Sequence, residues 1–265
     1  TMGATALVEA AACVLAIAEG TAWPSAGARA TPDDLRVITR SEALIAPWAL
    51  STTLAFGGVN AALVFGPADT AIAPVVPATA AVCISAVSCL RGDGEIPRPA
   101  WVPLGTARRL DPLARLAVAA VDGLLGGRPN LPSDAALILH TAYGSLGSTL
   151  RFLDSIAANG DALASPTPFT TSVHNAAAGA LGELLGLHGP AFTLSQSEGG
   201  AAAALDLALR LLRSGRAPAC LVLVGDLHTP WTAATAAALC PGLSHGSGLC
   251  ALLLTVDDGR GRLLL

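Results

Sequence analysis

The sequence predicts an α/β fold: a mixed or parallel β-sheet covered by helices on both faces. Two observations carry this. From residue 81 onward, short apolar runs with strand character alternate with longer Ala- and Leu-rich runs with helical character. The strand runs, such as Ala135-Ala-Leu-Ile-Leu-His-Thr141 and Ala219-Cys-Leu-Val-Leu-Val-Gly225, are continuously apolar rather than alternating, the pattern of strands buried on two sides.

The elements follow in order. Residues 2–19 are expected to form an apolar helix stopped at Gly20. A loop follows from Trp23-Pro24 to Pro32, then a short strand from Leu35 to Thr39. Trp48 to Phe65 has the form strand, tight turn, strand, because Gly57-Gly58 reaches backbone conformations barred to other residues. Gly66 to Thr79, rich in Pro and Ala, is expected to be a semi-rigid linker. Beyond it come a strand from Ala81 to Val87, a helix from Asp111 to Leu125, a strand from Ala135 to Thr141 and a helix from Thr149 to Asn159. Ser172 to Gly186 is expected to be helical. Ala191 to Gln196 is a strand leading directly into a helix over Glu198 to Ser214. A strand from Ala219 to Gly225, a helix from Thr229 to Leu239 and a strand from Gly248 to Val256 complete the pattern.

Composition narrows the function. Among 265 residues, 52% are hydrophobic and 13% charged, so the chain is a compact globular one rather than a disordered one. All fifteen basic residues are arginine. Without lysine there is no phosphate-loop lysine, Schiff base or lysine general base. A net charge of −4 argues against a nucleic-acid surface. The six cysteines lack metal-ligand spacing and sit mostly in apolar runs, so buried reduced thiols are expected rather than a disulfide framework. The five histidines form no ligand pair, so a zinc site is not expected, and no other metal or organic cofactor is implied. Thr70 to Leu90 is uncharged and long enough to span a bilayer, but Pro74 and Pro77 interrupt it, and a linker followed by a buried strand is the expectation. With Glu9 and Glu19 and no basic residue before Arg29, the N-terminus does not resemble a signal peptide, and a cytoplasmic location without membrane insertion is expected.

The strongest local feature is the strand-to-helix elbow in Gly189-Pro-Ala-Phe-Thr-Leu-Ser-Gln-Ser-Glu198-Gly-Gly. Such an elbow presents a side chain at a helix N-terminus, where negative charge is favoured. Ser197, within Ser195-x-Ser197-x-Gly199, has the position of a hydrolase nucleophile, although the first glycine of the usual motif is missing. Alternatively, Glu198 opens the helix and complements its dipole.

The elbow resembles that of the β-ketoacyl synthases, thiolase-fold condensing enzymes, in which a Gly-Pro-x-x-Thr strand runs into a helix opened by the catalytic cysteine. Aligned from Gly189-Pro190, Glu198 occupies the cysteine position. Arg108-Arg109-Leu110-Asp111, Asn175-Ala-Ala-Ala-Gly179, Arg213-Ser-Gly-Arg216 and Gly246-Ser-Gly248 also match family stretches. Residues 80–258 therefore resemble the N-terminal half of a ketosynthase. Thr1-Met-Gly-Ala-Thr-Ala-Leu-Val-Glu9 and Ala55-Phe56-Gly57-Gly58-Val59-Asn60 are similar to segments near the end of the C-terminal half.

The resemblance implies three parts: residues 1–66 as the C-terminal segment of a ketosynthase unit, 67–79 as a linker, and 80–265 as an N-terminal-half-like domain similar to short chain-length factors, particularly those of aryl-polyene-type pathways. The implied architecture is a layered αβαβα thiolase-like fold, incomplete within this chain and completed by a partner chain. In the family a catalytic histidine immediately precedes the threonine matching Thr1. The implied function is that of a component of a β-ketoacyl synthase/chain-length-factor complex, performing decarboxylative Claisen condensation in fatty-acid, polyketide or aryl-polyene biosynthesis. Its partners would be a ketosynthase polypeptide bearing the catalytic cysteine and histidines, and an acyl carrier protein. A carboxylate at 198 cannot form the acyl thioester that condensation requires. Glutamine at this position makes related domains malonyl decarboxylases; glutamate is a departure from that pattern.

Phe56 is implied to gate the acyl pocket and to lend its backbone N–H to an oxyanion hole, with Gly57 and Gly58 letting the loop swing. Val59 replaces the family threonine. Asn60 is implied to fix the loop and Glu9 to act as a structural hydrogen-bonding residue. His174 is expected to be a core histidine, and His245 replaces a family acidic residue. Arg210, Arg213 and Arg216 share a helix face that is either solvated or a landing site for the acidic carrier protein. The alternatives are a non-catalytic thiolase-fold scaffold or a Ser197 hydrolase.

Overall fold

The computed structural model describes residues 4–27, 36–55, 59–70, 81–127, 130–196, 199–239, 246–257 and 263–264. The chain divides into two compact units, one over Thr1–Ala55 and Asn60–Pro74, the other over Phe56–Val59 and Val75–Leu265.

In the first unit, α1 (Thr5–Glu19) stops where Gly20, at φ 63°, turns left-handed and donates its N–H back to the carbonyls of Ala16 and Ile17. Short strands β1 (Thr21–Ala22) and β2 (Glu42–Ala43) pair antiparallel. The expected strand at Leu35–Thr39 does not form over its described part, residues 36–39. Apart from one bond from the Ser25 N–H to the Ile38 carbonyl, the ladder lies at Glu42–Ala43 instead. Strands β3 (Ala49–Ala55) and β4 (Val59–Phe65) pair with each other, and α1 packs on β3. The Trp48 ring lies so close to Gly66 that a Cβ there would approach it to 2.3 Å, so glycine is required at that point. α1 buries no residue. Leu7, Val8, Leu50, Leu54 and Val64 are all 60% or more exposed, so this unit does not cover its own apolar faces.

The second unit is a six-stranded mixed sheet in the order β10-β5-β9-β8-β6-β7. Its strands are β5 (Val82–Arg91), β6 (Ala136–Thr141), β7 (Ala191–Ser195), β8 (Ala219–Asp226), β9 (Gly248–Val256) and β10 (Leu263–Leu264). β7, β6 and β8 run parallel; β9 is antiparallel to β8 and β5. The continuous apolar runs serve two cores. Leu137 and Leu139 of β6 face one way, with Leu221 and Leu223 of β8, against α3 (Pro112–Leu125) and α6 (Ala176–Leu185). Ile138 and Val222 face the other way, against Ala204, Ala208 and Leu212 of α7 (Gly200–Arg213).

The helices carry local causes. Asp111 caps α3, accepting the Ala114 N–H at 2.9 Å, and Pro112 occupies the first turn, where its missing N–H costs nothing. A short α2 (Leu104–Ala107) precedes α3; α4 (Leu146–Asn159) begins three residues before the expected start, and a short α5 (Pro166–Thr170) precedes α6. α6 starts at Ala176 rather than Ser172, because residues 172–175 turn before the helix. α8 spans Pro230–Leu239.

The cysteine expectation needs correction. Cys83 and Cys220 are buried free thiols, but Cys89 and Cys250 form a disulfide. They lie 161 residues apart and face each other in the antiparallel β5–β9 register with Cα atoms 4.0 Å apart, a proximity that spacing along the chain does not reveal. Among the described residues, no helix is long and apolar enough to cross a membrane, and no cluster of three His, Cys, Asp or Glu side chains could hold a metal ion.

Candidate functional site at the strand ends

The chain passes from β6 to its neighbour β7 and then to β8 on the other side of β6, so the carboxyl ends of these parallel strands frame a switch-point crevice. Here β7 ends at Ser195 and α7 begins at Gly200, leaving four residues for the elbow. Two glycines admit the helix for different reasons. Gly199 caps it in the left-handed region at φ 72°. Gly200 lies against the His140 ring, and a Cβ there would sit 2.0 Å from Nε2.

His140, at the end of β6, is 6% exposed and wedged beneath this elbow. Its Nε2 donates to the Gln196 carbonyl at 2.8 Å, and its buried Nδ1 has no partner. Because a carbonyl only accepts, the proton resides on Nε2. The imidazole thus tethers the strand end immediately before Ser197 and Glu198, which themselves lie outside the described residues, as do Phe56, Gly57, Gly58 and His245.

Asp226, at the end of β8, organises the turn that follows β6. Its carboxylate accepts from the Thr141 hydroxyl and from the N–H groups of Ala142 at 3.0 Å and Tyr143 at 2.9 Å; the Thr141 oxygen in turn accepts the Gly144 N–H at 2.8 Å. Tyr143, so fixed, meets His228 edge-on at 5.3 Å. His174 packs over the same turn: a Cβ on Gly144, at φ 57°, would come within 2.5 Å of it. His174 is nonetheless an exposed residue rather than the expected core histidine, because the segment before α6 runs along the surface of this turn.

The remaining sequence-derived candidates are scattered. Glu9 on α1 accepts from the Thr53 hydroxyl at 3.4 Å, joining α1 to β3; Asn60 falls in β4. Arg210 is held by Asp206 at 2.7 Å on the exposed face of α7. His140 and Asp226 were missed by sequence reasoning, although a signal existed: each is a polar residue closing an otherwise apolar strand run, the position from which side chains reach a crevice at strand ends.

This α/β architecture, with its strand-to-helix elbow at a switch point, is that of a thiolase-like condensing-enzyme half. The family model described as beta-ketoacyl synthase, N-terminal domain, matches residues 85–255, and the chain belongs to that family. A comparison with curated proteins by sequence found no match. Among solved structures, the ishigamide ketosynthase/chain length factor is similar at a TM-score of 0.57 and 21% identity, over 69% of this chain and 64% of that one. A ketosynthase in complex with its chain length factor from Xenorhabdus doucetiae is similar at a TM-score of 0.54 and 21% identity, over 68% of this chain and 80% of that one. The PfaC keto synthase-chain length factor is similar at a TM-score of 0.69 and 15% identity, over 96% of this chain and 38% of that one. At these identities the likeness is one of fold.

Proposed function

We propose that the chain is a non-nucleophilic component of a β-ketoacyl synthase/chain-length-factor complex, with the cysteine and histidines of condensation supplied by a ketosynthase polypeptide. The carrying observation is the elbow. A strand ending at Ser195 and tethered through Gln196 to His140, and a helix opened by Gly199-Gly200, flank position 198, where the sequence carries glutamate, and a carboxylate forms no acyl thioester. In this reading residues 1–66 are the closing segment of a ketosynthase unit, contributing Phe56 to gate the acyl pocket, and residues 80–265 are the chain-length-factor-like part. The similarity to PfaC across 96% of the chain supports one polypeptide carrying both parts in this order. The uncovered apolar faces of α1, β3 and β4 support completion by further ketosynthase structure. β7 supports a partner as well: it is the terminal strand of the sheet, and Phe192 on it is 39% exposed. For the acyl carrier protein, acidic by its class, an apolar cleft of about 210 Å³ flanked by Arg98, Arg108 and Arg115 offers a second landing site beside the Arg210 face.

The test is co-expression with a cysteine-bearing ketosynthase fragment. Stable co-purification and elongation of malonyl-carrier protein are expected, with Glu198→Ala leaving the rate within about twofold. Failure to associate with any such fragment would overturn the reading. Ester hydrolysis by the isolated chain that disappears in Ser197→Ala would replace it with a hydrolase.

A further inference from the structure

The first turns of three helices converge on one cleft of about 230 Å³ in the second unit. Asp111 and Pro112 bring the start of α3, Ser145 and Ser148 the start of α4, and Thr229 the start of α8. Each helix start presents unpaired N–H groups and partial positive charge. Two of the three are closed from within the chain. Asp111 caps α3. Thr229 and Thr232 cap α8 reciprocally, Thr232 N–H to Thr229 Oγ1 at 3.1 Å and Thr229 N–H to Thr232 Oγ1 at 2.7 Å.

The start of α4 is different. Ser145 occupies its N-cap position yet makes no capping bond. The residue is only 3% exposed, and its hydroxyl has no hydrogen-bond partner at all. A buried, unpaired hydroxyl is unfavourable unless something outside the chain pairs with it. Beside it, the Arg151 guanidinium lines the same cleft and spends one N–H on Ser148 Oγ at 2.9 Å, which leaves others to spare. The Asp111 carboxylate is the opposing charge, and the N-terminus of its own helix already offsets it. The cleft has room for a group of phosphate or carboxylate size with a few waters, and not for an extended chain.

We infer that this cleft is a binding site for a small oxyanion, phosphate or a short carboxylate, held by the open N-terminus of α4, the Ser145 hydroxyl and Arg151. The inference is independent of the condensing role, since it asks nothing of Glu198, Phe56 or a partner's cysteine.

The experiment measures thermal unfolding and calorimetric binding of the full chain in inorganic phosphate, in acetate and in chloride of matched ionic strength. Phosphate or acetate is expected to raise the unfolding temperature above the chloride value, and the stronger of the two identifies the class of anion. Arg151→Gln is expected to weaken that binding by about tenfold or more, as loss of a charge-assisted contact should. Ser145→Ala is expected to match or exceed the wild type in chloride, because it removes an unsatisfied hydroxyl, and to lose the anion-dependent rise. No rise over chloride, or an equal rise in wild type and Arg151→Gln, overturns the site. Should Ser145→Ala fail to fold, the Arg151→Gln comparison decides alone.

Discussion

At the scale of single residues, the elbow is held by small groups with little tolerance. Gly200→Ala drives a methyl group into the His140 ring, and the overpacking is expected to cost about 1–3 kcal/mol in chemical denaturation. Gly199→Ala, whose Cβ would meet the Gln196 side chain only at an ordinary 3.7 Å but would sit at φ 72°, is expected to cost about 1–2 kcal/mol of backbone strain. Asp226→Ala strands one hydroxyl and two N–H groups in the turn after β6, and a loss of about 3 kcal/mol or more is expected from the same measurement. Cys220 bears on pH. Burial pushes its thiol from 9.0 up to about 12, so the folded chain holds this proton more tightly than the unfolded chain. The stabilisation is complete below pH 9.0 and is lost as pH climbs towards about 12. Wild type is therefore expected to lose more stability than Cys220→Ala between about pH 8 and pH 11 in denaturant titrations.

At the scale of elements, the sheet shows both what periodicity transmits and what it does not. The runs at β6 and β8 were legible because a strand with cores on both faces must be apolar at every position, and Ile138 and Leu139 do face opposite helices. Helix starts were less so. Pro166-Thr-Pro-Phe-Thr170 forms a separate short helix, and Ser172–Asn175 yields to turns, because capping and turn geometry in that stretch outweigh its Ala-rich continuation. The register of β5 on β9 is beyond any local pattern, and with it the Cys89–Cys250 pairing. Alkylation of the unfolded chain is expected to spare Cys89 and Cys250 until a reductant is added; modification of both without reductant would show the bond absent. The elbow itself was readable from Gly189-Pro190 and Gly199-Gly200, yet the wedge beneath it was not, since His140 lies 56 residues upstream of its partner Gln196.

At the scale of the whole molecule, the two units differ in how they bury apolar surface. The second has two cores flanking a sheet, whereas α1 in the first buries no residue although it is apolar almost throughout. A helix apolar on all sides is stable when covered. A hydrophobic dye is therefore expected to bind the isolated chain strongly and to be released on assembly with a ketosynthase fragment; unchanged dye binding would mean that assembly leaves these faces open. The α/β class and the family were legible in the sequence, because they depend on residue type and on periods of a few residues. That His140 underpins the elbow, that Asp226 fixes the turn bearing Tyr143, and that Ser145 sits buried and unpaired among three helix starts follows from packing and not from any local pattern. Those are contacts between strand and helix ends far apart in the chain, and they exist only once the sheet order β7-β6-β8 brings the ends together.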